Sequence, residues 1–408
     1  MNILLINHYA GSNQRGMEYR PYYMAREWVK QGHTVTIVAA TFSHLRVENP
    51  THSEDYKEET IDSIRYIWLK TPPYDGNGVK RVINIFAFLR QLYRYEKRIL
   101  AGEPYNAVIA SSTYPLDNVP ARRFARKCKA KWVYEVHDLW PLTLIELGGM
   151  SPRHPFIMLL QWGENFAYKN VDGVVCMLPA AEPHMREHGL PPGKCTIVPN
   201  GAIVGEFQNV SDLLPDQHRE LLDGLRAQGK FLVAYTGSIG LPYALQHLVE
   251  AGKRLEKEDV AIVFMGDGPV REQLAEQAKE LGANNIHFLP WVPKKALPAV
   301  LEKMDVLYLG WRRTRLYSFG ISPNKLLDYM LASKPVIHAN VAANDMVAES
   351  GAGFSVPAED VEAITNAIRK MKATSPEERA EMGAKGRTYV IEQLDYPVLA
   401  KKFVDALK

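Results

Sequence analysis

The feature that most constrains this chain is a pattern written twice: a short apolar run, a loop containing glycine, then an amphipathic helix. The first copy reads "NILLINHY" (2–9), a loop holding Gly11 and Gly16, "MEYRPYYMAREWVKQG" (17–32) and "HTVTIVAA" (33–40). Strand, helix, glycine stop and strand in that order is the βαβ unit of a parallel sheet. Further strands are expected at Ala107–Ala110, Lys131–Glu135 and Gly173–Met177, and "KCTIVPNG" closes this half at Gly201. The pattern then restarts with "KFLVAYTGSIG" (230–240) and continues through "VAIVFMGDGP" (260–269), "NIHFLPWV" (285–292), "DVLYLGW" (305–311) and "GAGFSV" (351–356). The stretch 206–228 between the halves is polar and lacks a strand signal. An α/β chain of two facing Rossmann-like domains follows, with ligands at the carboxyl ends of the strands and one cleft between them. The expected boundaries are 1–201, a linker at 202–228, a second domain at 229–385, and a final helix at 386–408 packing back on the first domain.

A chain of 408 residues is long enough for two or three cores. A net charge of +3 gives no basis for expecting a nucleic-acid partner. Cys128, Cys176 and Cys195 lack metal-type spacing and read as reduced structural thiols, which suits a cytoplasmic protein. The start "MNILLINHY" reads as a strand rather than a signal peptide, so the Asn209-Val210-Ser211 sequon is expected to stay unmodified.

The most specific local feature is "GISPNKLLDYMLASKPVI" (320–337). Ser322 reads as an N-cap and Pro323 as the first helical residue. Leu326, Leu327, Met330 and Leu331 give the helix an apolar face. Lys325 then lies in the first turn, where the helix dipole is already positive, which is unfavourable unless an anion sits there. One reading is a phosphate cradle with Asp328 nearby to accept from ribose hydroxyls. The other is a capped helix with a weak Lys–Asp pair. The loops Gly237-Ser238-Ile239-Gly240 and Gly266-Asp267-Gly268 can let a ligand approach the backbone, or can be ordinary βα turns.

Three other segments stand out. His184-Met185-Arg186-Glu187-His188 matches a zinc pattern, but Gly189 and two prolines stop its helix and no third ligand is evident, so no metal is expected there. "VYEVHDLWP" places His137 and Asp138 at a strand end, either facing the cleft or as a satisfied His–Asp pair. "VKRVINIFAFLRQLYRYEKRIL" (79–100) carries Ile83, Phe86, Leu89 and Tyr93 at helical spacing among Lys80, Arg81, Arg90, Arg94, Lys97 and Arg98. Together with "ARRFARKCKAK" (121–131) it can lie on an anionic membrane, or it is a core helix with a solvated basic face. A Gly-x-Ser-x-Gly elbow, a Walker A loop and a cysteine nucleophile constellation are all absent from the sequence.

These pieces together resemble a retaining nucleotide-sugar glycosyltransferase of the GT-B fold, family 4, of the kind that builds bacterial O-antigen, capsule or similar surface polysaccharides. The resemblance is carried by 16–38, "YEVHDLWP" (134–141), "IVPNG" (197–201), "YTGSIG" (235–240), "FMGDGP" (264–269) and 320–337, in that order. It implies that Ser322, Asn324 and Lys325 meet the donor diphosphate and Asp328 the ribose. Trp291 and Val292 would flank the base, with Gly237, Ser238 and Gly266 approaching the phosphates. Gly16 would approach the diphosphate from the first domain, with His137 and Asp138 near the transferred sugar and Lys325 serving the departing diphosphate. It also implies a UDP-sugar donor with no metal or other cofactor, and a polyprenyl-diphosphate-linked or other glycan acceptor. The protein would sit peripherally on the cytoplasmic face of an inner membrane. Two departures stand against the family pattern. Gly320 occupies the place of the first of two glutamates, and the loop after Ser238 lacks a basic residue, leaving Arg312 and Arg313 as further diphosphate candidates. A nucleotide-sugar 2-epimerase of the same fold and a noncatalytic nucleotide-sugar-binding protein remain alternatives.

Overall fold

The computed structural model describes every residue except 17, 52, 77 and 208–212, and the side chain of Glu206; the sequon falls outside the described residues. The chain divides into two compact units, Met1–Asn200 with Tyr396–Lys408, and Gly201–Asp395.

The first unit is built on eight strands: β1 (Asn2–Ile6), β2 (Thr34–Ala40), β3 (Tyr56–Ile61), β4 (Ile64–Leu69), β5 (Ala107–Ala110), β6 (Lys131–Val136), β7 (Gly173–Cys176) and β8 (Cys195–Ile197). Their order is β3-β4-β2-β1-β5-β6-β7-β8, parallel throughout except for the β3–β4 hairpin. Ile3 to Ile6 and Val35 to Ala40 are buried without alternation, as parallel strands covered on both faces must be. The edge strand β3, "YKEETI", instead exposes Lys57 and Glu58, charges that discourage pairing with another chain. The Tyr396–Ala406 helix docks within this unit: Trp28 Nε1 donates to the Ala400 carbonyl at 3.1 Å and its ring meets Phe403 edge-on at 5.0 Å.

The second unit has six parallel strands: β9 (Phe231–Thr236), β10 (Val260–Met265), β11 (Ile286–Leu289), β12 (Val306–Gly310), β13 (Val336–Asn340) and β14 (Gly353–Pro357). Their order is β11-β10-β9-β12-β13-β14. Counted from β9 this is 3-2-1-4-5-6, the dinucleotide-fold order, whose switch point lies between β9 and β12. Pairing there stops after Leu307↔Ala234, so the two strands part toward their carboxyl ends.

Two expected boundaries differ from the structure. The segment expected as a linker at 202–228 contains the Asp216–Ala227 helix, whose Leu222 and Leu225 lie in the core of the second unit. The Pro376–Gln393 helix runs through the expected break at 385/386, begun by a Ser375/Glu378 capping box, and the part belonging to the first unit starts at Tyr396.

Candidate active site

In the second unit the carboxyl ends of β9 and β10 converge on the start of the Asn324–Leu331 helix. That helix begins one residue later than the sequence suggests. Pro323 is the N-cap, with no side-chain cap bond, so Ser322 is not the cap and Pro323 is not the first helical residue. The approach is held from outside: Asn344 accepts from Ile321 N at 2.8 Å and donates to Ile321 O at 3.0 Å. Gly320 sits at φ +101, a left-handed conformation in which a glutamate would be strained. The missing acid is therefore written into the backbone as well as the sequence. Tyr329 locks the helix to β9, its hydroxyl accepting from Thr236 N at 2.7 Å.

Lys325 occupies the second helical position, half-buried. Its ammonium donates to the Tyr235 hydroxyl and lies 3.4 Å from the Ser238 carbonyl. It stands 3.7 Å from the ring centre of Tyr243 and 4.0 Å from that of Tyr235, a cation–π box. No carboxylate pairs with it among the described residues. Burial lowers its pKa to about 7. A desolvated lysine at the positive end of a helix favours an arriving anion. One turn on, burial raises the Asp328 pKa to about 6, with Lys294 opposing the shift.

Gly237 has φ +100, and a Cβ there would lie 3.6 Å from Lys325 Nζ, so Gly237, Ser238 and Lys325 share one site. Gly266 has a different reason to be glycine. A Cβ would fall 1.9 Å from the Gly237 carbonyl, because the two loops pack backbone against backbone, and Gly237 N donates to Met265 O at 2.8 Å. Its smallness serves the loop pair and needs no ligand. Trp291 projects from the loop after β11, 64% exposed, beside the half-buried Val292. The Arg312 side chain is exposed, whereas Arg313 Nε donates to the Ala358 carbonyl at 2.9 Å and is committed there.

In the first unit His137 follows β6. Its Nε2 lies 3.0 Å from Ser111 Oγ and 3.3 Å from Glu135 Oε2. Its partner is therefore Glu135, not Asp138 as a His–Asp pair would require. Asp138 Oδ1 accepts from Leu139 N at 2.9 Å and Thr143 Oγ1 at 2.7 Å, which fixes the turn. Glu135 is fully buried and receives Arg20 Nε at 2.9 Å and Ser111 Oγ at 2.6 Å. Burial alone would raise its pKa, but Arg20 and His137 hold it down to about 2. Gly16, at φ +84, closes the loop after β1 and packs on Val47, which a Cβ would meet at 2.9 Å.

The basic helix, Val79–Arg94, buries Ile85, Phe88 and Leu92. The stripe singled out in the sequence faces outward: Ile83 is 54% exposed, Phe86 45% and Tyr93 42%. Phe86, Leu89, Arg90 and Tyr93 line a groove of about 480 Å³ with Leu159 and Trp162 of the Pro155–Asn170 helix. Part of the positive charge is neutralised, because Arg94 pairs with Asp55 and both Arg123 and Lys127 pair with Glu96. No helix among the described residues is long and apolar enough to cross a membrane. The cysteines are free, and burial pushes the Cys195 thiol up to about 11 and that of Cys176 higher.

Sequence reasoning missed Tyr235, Tyr243 and Glu135. Tyr235 and Glu135 lie inside the quoted strand motifs, but nothing in an apolar run says which residue ends up beside a lysine ninety positions away.

The arrangement is that of a GT-B glycosyltransferase: two α/β units on largely parallel sheets and, in the second, a half-buried lysine at a helix start beside the switch point. Residues 15–201 match the family described as glycosyl transferase 4-like domain, and residues 230–373 match glycosyl transferases group 1. The chain is a glycosyltransferase that transfers a hexosyl unit from a nucleotide-sugar. It is 24% identical to WcaI of Escherichia coli K12, a protein assigned to colanic acid biosynthesis as a glycosyl transferase, over 84% of this chain and 86% of WcaI. It is 30% identical to a GDP-mannose-dependent α-(1-6)-phosphatidylinositol monomannoside mannosyltransferase of Mycolicibacterium smegmatis, over 36% of this chain and 40% of that one. Among solved structures, HepE of Anabaena in complex with UDP and glucose superposes with a TM-score of 0.68 at 15% identity, over 99% of this chain and 98% of HepE.

Proposed function

We propose that the chain is a retaining, family 4 transferase that moves a sugar, such as an N-acetylated hexose, from a UDP-sugar to a polyprenyl-diphosphate-linked acceptor in surface-polysaccharide synthesis. The observation that carries this is Lys325: a half-buried ammonium without a carboxylate partner among the described residues, in a helix first turn beside Gly237 and Ser238. As the glycosidic bond breaks, negative charge grows on the departing diphosphate. Lys325 and the helix N-terminus are already aimed at it, which is the preorganised stabilisation that usually dominates catalysis. In this reading protein groups neutralise the diphosphate and transfer needs no divalent ion. Asp328 accepts from the ribose, and the exposed Trp291 stacks on the base. His137, oriented by Glu135 and Ser111, serves the transferred sugar. Retention without an enzyme nucleophile suits front-face attack.

The outward apolar stripe of the Val79–Arg94 helix supports work at the cytoplasmic face of an anionic inner membrane, where a polyprenyl acceptor resides. The 2-epimerase reading is not favoured, since both matched families are transferase domains. GDP-sugar donors form the second reading, supported by the GDP-mannose-dependent relative. The deciding experiment measures nucleotide release from UDP- and GDP-sugars with polyprenyl-diphosphate-glycan acceptors in EDTA. Acceptor-dependent UDP release supports the proposal; GDP release alone selects the second reading, and no release with any donor refutes transfer to this acceptor class.

A further inference from the structure

The zinc-like pattern at 184–188 was expected to lack a third ligand, and the fold supplies one. Glu164, on the Pro155–Asn170 helix, meets His184 and His188 from and just after the Glu182–Glu187 helix, and one ligand atom from each lies within 4.8 Å of the others. Glu187, the acid of the sequence pattern, is exposed and not part of this cluster. Glu164 is 1% exposed, and among the described residues no lysine or arginine pairs with it. A buried carboxylate without a compensating cation is costly.

Hydrogen bonds with Gln161 and Asn165 hold the cluster in place. Gln161 Nε2 lies 2.7 Å from Glu164 Oε2, 2.9 Å from Asn165 Oδ1 and 3.0 Å from His188 Nδ1. His188 Nδ1 also faces Asn165 Oδ1 at 2.8 Å. That nitrogen cannot accept from Gln161 and donate to Asn165 together.

We propose that Glu164, His184 and His188 bind a borderline divalent cation of the zinc class that ties the two helices together. Two imidazoles and one carboxylate suit such an ion, with the Asn165 amide oxygen or water as the fourth ligand. Zinc–ligand bonds of about 2.0–2.2 Å put tetrahedral donors roughly 3.4 Å apart; His184 Nε2 and Glu164 Oε1 already stand 3.3 Å apart, and ligand atoms of all three residues lie within 4.8 Å. Half-buried His188 leaves a path for the ion. The site is structural and independent of the sugar-transfer reading.

The test uses the full chain, stripped with EDTA and re-equilibrated with zinc sulfate. Metal content after gel filtration should reach one zinc per chain, and a hundredfold excess over Kd should raise Tm by roughly 5–10 °C. X-ray absorption should show two imidazole nitrogens in the shell. His188→Gln changes a half-buried position; it should keep the far-UV circular dichroism of the parent and lose both the stoichiometric zinc and the Tm rise. Less than one tightly held zinc per chain, or equal uptake by His188→Gln, overturns the proposal and leaves an imidazolium–carboxylate pair as the content of the cluster.

Discussion

At the scale of single residues, the proposed chemistry rests on Lys325. Its ordinary pKa of 10.5 falls to about 7 on burial, so between pH 7 and 10.5 the folded chain holds fewer protons than the unfolded one. Stability linked to this group therefore rises with pH across that window and is lowest below it. A diphosphate bound beside Lys325, as proposed, would restore the charge and take up a proton. UDP affinity should thus fall as pH rises above about 7, by up to tenfold per unit, a slope that isothermal titration calorimetry reads directly. Lys325→Arg, which keeps its proton, should flatten the slope, and an unchanged slope would remove the lysine from the site. Asp328 makes a different contribution. If it accepts from ribose hydroxyls, Asp328→Ala should weaken UDP by roughly 10- to 150-fold, in line with about 1.5–3 kcal/mol for a bond to a charged group. It should also erase the preference for UDP over 2′,3′-dideoxy-UDP; a preference kept intact would assign the ribose to another residue. In the first unit, Glu135→Ala strands the buried Arg20 guanidinium and should cost about 3–5 kcal/mol in urea unfolding. A loss under 1 kcal/mol would show that the pair is not what organises this strand end.

Among the elements, the Val79–Arg94 helix best shows what periodicity reveals and conceals. Ile83, Phe86, Leu89 and Tyr93 mark an apolar stripe in the sequence, but period alone does not say whether a stripe faces a core or a partner. Ile85, Phe88 and Leu92, shifted around the same helix, take the core instead. Ile83→Ser with Phe86→Ser should leave Tm within about 1 °C, because both are surface positions. The same change should cut co-sedimentation with phosphatidylglycerol vesicles at least severalfold, and undiminished pelleting would place membrane contact elsewhere. Most of the parallel strands were legible because strands buried on both faces read as unbroken apolar runs; the β3–β4 hairpin was not anticipated, since β3 is a polar edge strand without such a run. The Asp216–Ala227 helix was not, because it commits only His218, Leu222 and Leu225 to the core and is otherwise polar. The start of the Asn324–Leu331 helix was misplaced for a local reason: "SPN" offers both a good cap and a proline suited to the first turn, and the backbone made the proline the cap.

Across the whole molecule, the twofold strand–loop–helix pattern made both sheets visible in advance, and with them the carboxyl ends where a ligand belongs. The site within the second unit was legible only in part. Gly237, Ser238 and Lys325 come together as anticipated, but the tyrosines that strip Lys325 of water, and the loop contact that requires Gly266, depend on long-range packing that spacing does not encode. The proposed function turns on whether Lys325, beside this switch point, holds a uridine diphosphate without metal. The most direct measurement is a thermal-shift comparison of UDP, GDP, ADP and NAD, each with and without EDTA, on the parent chain and Lys325→Ala. A uridine diphosphate held by Lys325 without metal gives a UDP-selective rise in Tm that survives EDTA and is lost in Lys325→Ala. A shift with NAD alone, a UDP shift abolished by EDTA, or an equal UDP shift in the variant would contradict it.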